Sequence, residues 1–157
     1  MEEKSNKRYA EKEKYLQGYI VAINTIKRLK KQRDNINENM EELRRINCTP
    51  AGQRITGMPK AHNHKDLSDY IERIDEFEQE IKCLNECMDK KRVEAAKVCT
   101  QIWQAIEEMD TEDYKDILSD RYVLRMSWGD IAKKHGYSRS GMYYIKLKAL
   151  DEFKLPS

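Results

Sequence analysis

Two long stretches, Lys4 to Ile46 and Asp66 to Met109, contain no proline and one glycine, Gly18. In the first, apolar residues recur at Leu16, Ile20, Ile23, Ile26, Leu29, Ile36, Met40 and Leu43, a spacing of three and four that marks one face of a helix. In the second, Leu67, Ile71, Ile74, Ile81, Met88, Ala95, Cys99, Ile102, Ile106 and Met109 come close to a strict heptad, which is coiled-coil spacing. Between them NCTPAGQRITGMPKAHNHK, residues 47–65, holds two of the three prolines, two glycines and two histidines, and it breaks both helices. The expected fold class is all-α. A long antiparallel helical hairpin, or coiled coil, should occupy 1–109, followed by a C-terminal helix-turn-helix domain over 110–157.

Composition agrees with long solvated helices, since 37% of residues are charged and 39% hydrophobic. Folded back about the loop, the basic run KRLKKQR (27–33) is expected opposite Glu76, Glu78 and Glu80. Exposed pairs of that kind contribute only about 0.2–1 kcal/mol each and specify register more than stability. A two-helix seam buries little surface, so helices from the C-terminal module or from a second chain should cover it. A homodimer is the expected assembly.

The formal net charge of +2 is too small to argue for nucleic acid without attention to where the charges lie. The charged N-terminus MEEKSNKRYAEKEK lacks the apolar core of a signal peptide, and the nearby YIVAI is too short to span a bilayer. A cytoplasmic protein, with no membrane partner, is expected. The four cysteines, Cys48, Cys83, Cys87 and Cys99, fall mostly within helical pattern, so reduced thiols are the default. His62 and His64 with Cys83 and Cys87 invite a zinc reading, but His64 and Cys83 are nineteen residues apart, mostly along one helix, which at ~1.5 Å per residue separates them by roughly 25 Å. One ion cannot bridge that distance. No metal or other cofactor is expected, and no nucleophile, phosphate loop or paired-carboxylate set points to an enzyme.

After Met109 the pattern changes to shorter helices with marked boundaries. Thr111 is positioned to cap a helix with Glu112 and Asp113 in its first turn, burying Tyr114, Ile117, Leu118, Tyr122 and Leu124. Ser127 with Asp130 forms a capping box, and Met126 with Ile131 has staple spacing. The helix from Trp128 should stop at Gly136, where positive φ suits a tight turn. Ser138 then caps a third helix, over 139–150, and Tyr137 with Met142 repeats the staple. This is the layout of a helix-turn-helix, whose second helix enters the major groove.

With Met142, Ile145 and Ala149 turned inward, the base-reading candidates are Arg139, Ser140, Tyr143 and Tyr144. Arg139 suits two acceptors on guanine, and the hydroxyls suit bases or phosphates. The phosphate candidates are Lys133, Lys134, Ser138, Lys146 and Lys148, and between Ser127 and Leu150 the only acid is Asp130. Double-stranded DNA is the expected partner.

The stretch DRYVLRMSWGDIAKKHGYSRSGMYYIKLKALDEF resembles region four of bacterial sigma factors: RY, a short linker, Ser-Trp-x-x-Ile-Ala, Gly-Tyr-Ser, a recognition helix and Ala-Leu. The order of a long helix, a loop with Gly57, Met58 and Pro59, a second long helix and this module is similar to a family of small phage and prophage proteins of Gram-positive bacteria, related in type to the ArpU and RinA late-gene activators. The resemblance implies a transcriptional regulator of phage late genes. In the leading reading the hairpin dimerises it or contacts RNA polymerase. Its recognition helix departs from the family at Ser140, Gly141 and the tyrosine pair. No sigma region two precedes the module, so promoter melting is not expected. Two rival readings remain: a packaging protein like a terminase small subunit, and a protein-interaction module that does not bind DNA.

Overall fold

The computed structural model describes the backbone of residues 2–48 and 64–156 and the side chains of 8–46 and 67–156. The middle of the expected breaker, 49–63, lies outside the described residues. The elements are α1 (Glu2–Leu16), α2 (Gly18–Cys48), α3 (His64–Glu107), α4 (Glu112–Leu118), a π-helical turn (Ser119–Val123), α5 (Trp128–His135) and α6 (Arg139–Glu152). No strand occurs among the described residues. The fold is all-α, with α2 and α3 forming the antiparallel hairpin and α5, a turn and α6 forming the C-terminal helix-turn-helix.

The chain divides into two compact units, one of Met1–Thr25 with Lys91–Ser157 and one of Ile26–Lys90. The second is bare hairpin. It buries Ile36, Met40 and Met88, while the heptad positions Leu67 and Ile71, expected in the seam, are exposed. Across the hairpin Arg44 donates to Glu78 at 3.0 Å. The acidic stretch of α3 therefore meets α2 well beyond the run 27–33, and the expected alignment of KRLKKQR with Glu76, Glu78 and Glu80 is not the one adopted. The register follows the buried apolar side chains, as it should when exposed ion pairs contribute so little.

In the first unit, residues 110–157 do not stand apart. Leu118, Tyr122, Ala149, Leu150 and Phe153 share one core with Leu16 of α1, with Ile102, Ala105 and Ile106 at the end of α3, and with Met109 just beyond it. Each fully buried aliphatic or aromatic side chain contributes about 1.5–3 kcal/mol, so this shared core anchors α6. The helix expected from Lys4 to Ile46 breaks at Gln17, although Gln17 N–H still donates to Glu13 O and Val21 N–H to Gln17 O. At Gly18 an added Cβ would lie 3.3 Å from Val98 Cγ1. Glycine lets α2 close on α3 there.

The supporting helix also differs from expectation at its end. The Leu124 N–H donates to Ser119 O, five residues back, at 2.9 Å, which widens the last turn into a π-helix. Ile117, Leu118 and Tyr122 are buried as expected, but Leu124 is exposed. Thr111 has the extended backbone of an N-cap without the capping bond. Its hydroxyl instead donates to Glu152 Oε2 at 2.7 Å.

Candidate nucleic-acid interface

The geometry of α5 and α6 follows from their caps. Ser127 Oγ accepts from the Asp130 N–H at 3.1 Å and donates to Asp130 Oδ2 at 2.6 Å, so the acid grips the serine hydroxyl rather than its backbone. Gly136 ends α5 in the left-handed region at φ 72°, where its N–H and that of Tyr137 return to carbonyls of the last turn. Ser138 Oγ accepts from the Gly141 N–H at 3.1 Å. Both staple pairs fall in a single cluster: Ile117, Ile131, Ala132 and Met142 are buried, with Met126, Tyr137 and Ile145 packed against them. That cluster fixes α6 against α5.

The four base-reading candidates line the outside of α6. Arg139 and Ser140 are exposed, and Tyr143 and Tyr144 keep 64% and 58% of their surface. Trp128, Ala132, Lys133, Tyr137, Arg139 and Tyr143 border a groove between α5 and α6. Its lining combines apolar and aromatic side chains with the cations Lys133, Arg139 and Lys146. Gly141 has a local role, since an added Cβ would sit 3.1 Å from the capping hydroxyl of Ser138.

The phosphate candidates are not equivalent. Lys133 is exposed and makes no ion pair among the described residues. Lys134 instead holds Asp120, with Nζ at 2.8 and 2.7 Å from the two carboxylate oxygens. Lys146 pairs with Glu13 of α1 and lies 5.5 Å from the centre of the Trp128 ring. Lys148 sits 4.7 Å over the Tyr144 ring, and the Tyr144 hydroxyl holds its ammonium above the ordinary value. Ser138 is occupied as a cap. Free cationic character is thus concentrated at Lys133 and Arg139.

Several residues that organise this surface carried no distinguishing sequence signal. Asp120, only 3% exposed, accepts from Lys134 and lies 3.0 Å from His135 Nε2. Burial opposes its charge, but hydrogen bonds and charge from Lys134 and His135 outweigh that and hold its carboxyl below the usual range. Arg121 donates to Met126 O at 2.8 Å and stacks 5.5 Å from the Trp128 centroid, so Trp128 is flanked by two cations. Arg125 takes a left-handed φ of 61°, uncommon for a residue with a Cβ.

Helix α1 secures the far end of α6. Lys12 Nζ donates to Leu150 O at 2.7 Å and Asp151 O at 3.1 Å, a cation on the carbonyls of a helix C-terminus. Tyr9 donates to Asp151 Oδ1 at 2.8 Å, and the Tyr15 and Phe153 rings meet at 6.2 Å. Glu152 accepts from the Thr111 N–H at 2.8 Å and the Asp110 N–H at 2.9 Å. The Thr111 backbone bond leads in holding the Glu152 carboxyl below its ordinary value. Tyrosine, lysine and glutamate together leave the N-terminal half of α6 as its open part.

Fold and site thus define an all-helical protein that presents the first turns of a capped helix, rich in hydroxyls and with one arginine, from a helix-turn-helix. The chain belongs to the family described as "Protein of unknown function (DUF1492)", which matches residues 58–154. No curated protein and no solved structure matches it. No group of three or more His, Cys, Asp or Glu positioned to hold a metal ion occurs among the described residues. Nor is any described helix long and apolar enough to cross a membrane.

Proposed function

We propose that this chain is a DNA-binding transcriptional regulator of the phage and prophage type, with a module like sigma region four. In this reading α6 enters the major groove, Arg139 reads a guanine, and Ser140, Tyr143 and Tyr144 contact neighbouring bases or phosphates. The observation that carries it is the exposed first half of α6, where four donor side chains stand together on a helix locked from behind by its caps and core. Lys133 supplies a flanking phosphate contact. The hairpin serves dimerisation or contact with RNA polymerase, which accords with how few side chains its second unit buries. A cytoplasmic location goes with this role.

The two exposed tyrosines also favour a second reading, because tyrosine is enriched where proteins meet proteins. Salt separates the two, since phosphate contacts release counterions and weaken steeply as salt rises. The direct test is a footprint of the purified protein across the neighbourhood of its own gene at near-physiological salt. A protected site upstream of a promoter supports the regulator, and protection at a packaging site selects a terminase-like role. No protection overturns both.

A further inference from the structure

The hairpin register sets Glu76, Glu78 and Glu80 away from Lys27, Lys30 and Lys31 of the run KRLKKQR. Elsewhere along the long helices cations find an acid three residues away: Arg44 with Glu41, Arg73 with Glu76, Lys91 with Glu94. Lys27, Lys30 and Lys31 are exposed and make no ion pair among the described residues, although Asp34 lies three positions after Lys31 and four after Lys30. Their spacing of three and four puts them on one face of α2. Asp34, the nearest acid along the helix, is held by Arg33 at 2.6 Å. Like charges at this spacing destabilise a helix by a few tenths of a kcal/mol per pair, in a chain whose 30 basic and 28 acidic residues nearly balance. With Asp34 engaged by Arg33, three exposed ammonium groups remain together as surplus positive charge, and that surplus points to an anionic ligand.

We propose that the outer face of α2 at Lys27, Lys30 and Lys31 is a second contact for duplex DNA, one that binds its phosphate backbone without reading sequence. The inference rests on the DNA-binding reading of α6. Flexible ammonium groups suit this role because each neutralises a phosphate as a point charge and carries no base code. The three lysines themselves offer no aromatic or bidentate group that would select one sequence.

The test measures affinity for a random-sequence duplex and for the footprinted site at several salt concentrations. The wild-type chain is compared with a Lys27→Gln, Lys30→Gln, Lys31→Gln variant and with the corresponding Lys→Arg triple. Glutamine keeps helix propensity close to that of lysine, and circular dichroism checks helicity. The slope of log K against log salt should fall in magnitude by about two to three in the glutamine variant, at roughly 0.9 per phosphate contact. The arginine variant should restore it, and the ratio of site to random affinity should stay unchanged. A wild type that binds while the glutamine variant keeps its full slope overturns this inference alone. A wild type that binds neither duplex overturns the DNA reading and this inference together.

Discussion

Replacing Asp120 by asparagine tests how the helix-turn-helix is held to its supporting helix. The native carboxylate lies on the π turn with both oxygens within 2.8 Å of Lys134 Nζ and one at 3.0 Å from His135 Nε2. Hydrogen bonds to charged groups contribute about 1.5–3 kcal/mol each, but the Lys134 side chain is half exposed and regains water when released, so its share is discounted. Asparagine also keeps one carbonyl acceptor. The expected loss is therefore about 1–3 kcal/mol at neutral pH, below the ~3–5 kcal/mol of a fully buried pair broken on one side. Urea denaturation followed by tryptophan fluorescence measures it. Because the folded Asp120 carboxyl is held below its ordinary value, its stabilisation is complete above the usual carboxylate range near pH ~4 and is lost as pH falls through the lowered value. The gap between wild type and variant should narrow in acid. A gap under about 0.5 kcal/mol at pH 7, the scale of ordinary surface changes, or a gap that persists undiminished in acid, would refute the assignment.

Arg139→Ala should weaken binding to the footprinted site by about 5- to 150-fold, the equivalent of ~1–3 kcal/mol, with unchanged thermal stability; equal loss on random DNA would remove its base-reading role. Glu13→Gln releases Lys146, so the salt slope of DNA binding should steepen by about 0.9, and an unchanged slope would mean that Lys146 does not reach a phosphate. Gly136→Ala meets no atom within 4 Å but must hold φ near 72°. It should lose about 1–2 kcal/mol in chemical denaturation, and Gly136→Asn less, because asparagine tolerates that conformation. A full loss with asparagine would place the cause elsewhere.

What could be read from the sequence was what short-range spacing encodes. The caps at Ser127 and Ser138, the turn at Gly136 and both staples depend on residues within six positions, and each matches the structure. The hairpin register was not legible, because the apolar repeat is nearly periodic and charges at the surface discriminate weakly between neighbouring alignments. Nor was the use of the cations. Lys134 and Lys146 looked like solvated phosphate ligands because their acids, Asp120 and Glu13, lie 14 and 133 positions away and are no different in type from other surface acids. Local spacing points to a cap at Thr111 because nothing near it in sequence reveals Glu152, which arrives from the far end of α6.

These long-range pairs change what the helix-turn-helix can contribute if it binds DNA. Counted on the sequence, four lysines flank the recognition helix; counted on the structure, Lys134 and Lys146 are neutralised by acids and Lys148 is drawn over a tyrosine ring. Among the described residues Lys133 and Arg139 remain as that face's cations without an ion pair. The counterion-release contribution of α5 and α6 alone should then be small, with a slope near one from Lys133 at about 0.9 per phosphate contact, while Arg139 and the hydroxyl-rich first turns of α6 retain their capacity to discriminate bases. Affinity and specificity would reside on different surfaces, the first largely on the lysine face of α2 and the second on α6. A substitution on either should therefore move one quantity and leave the other in place.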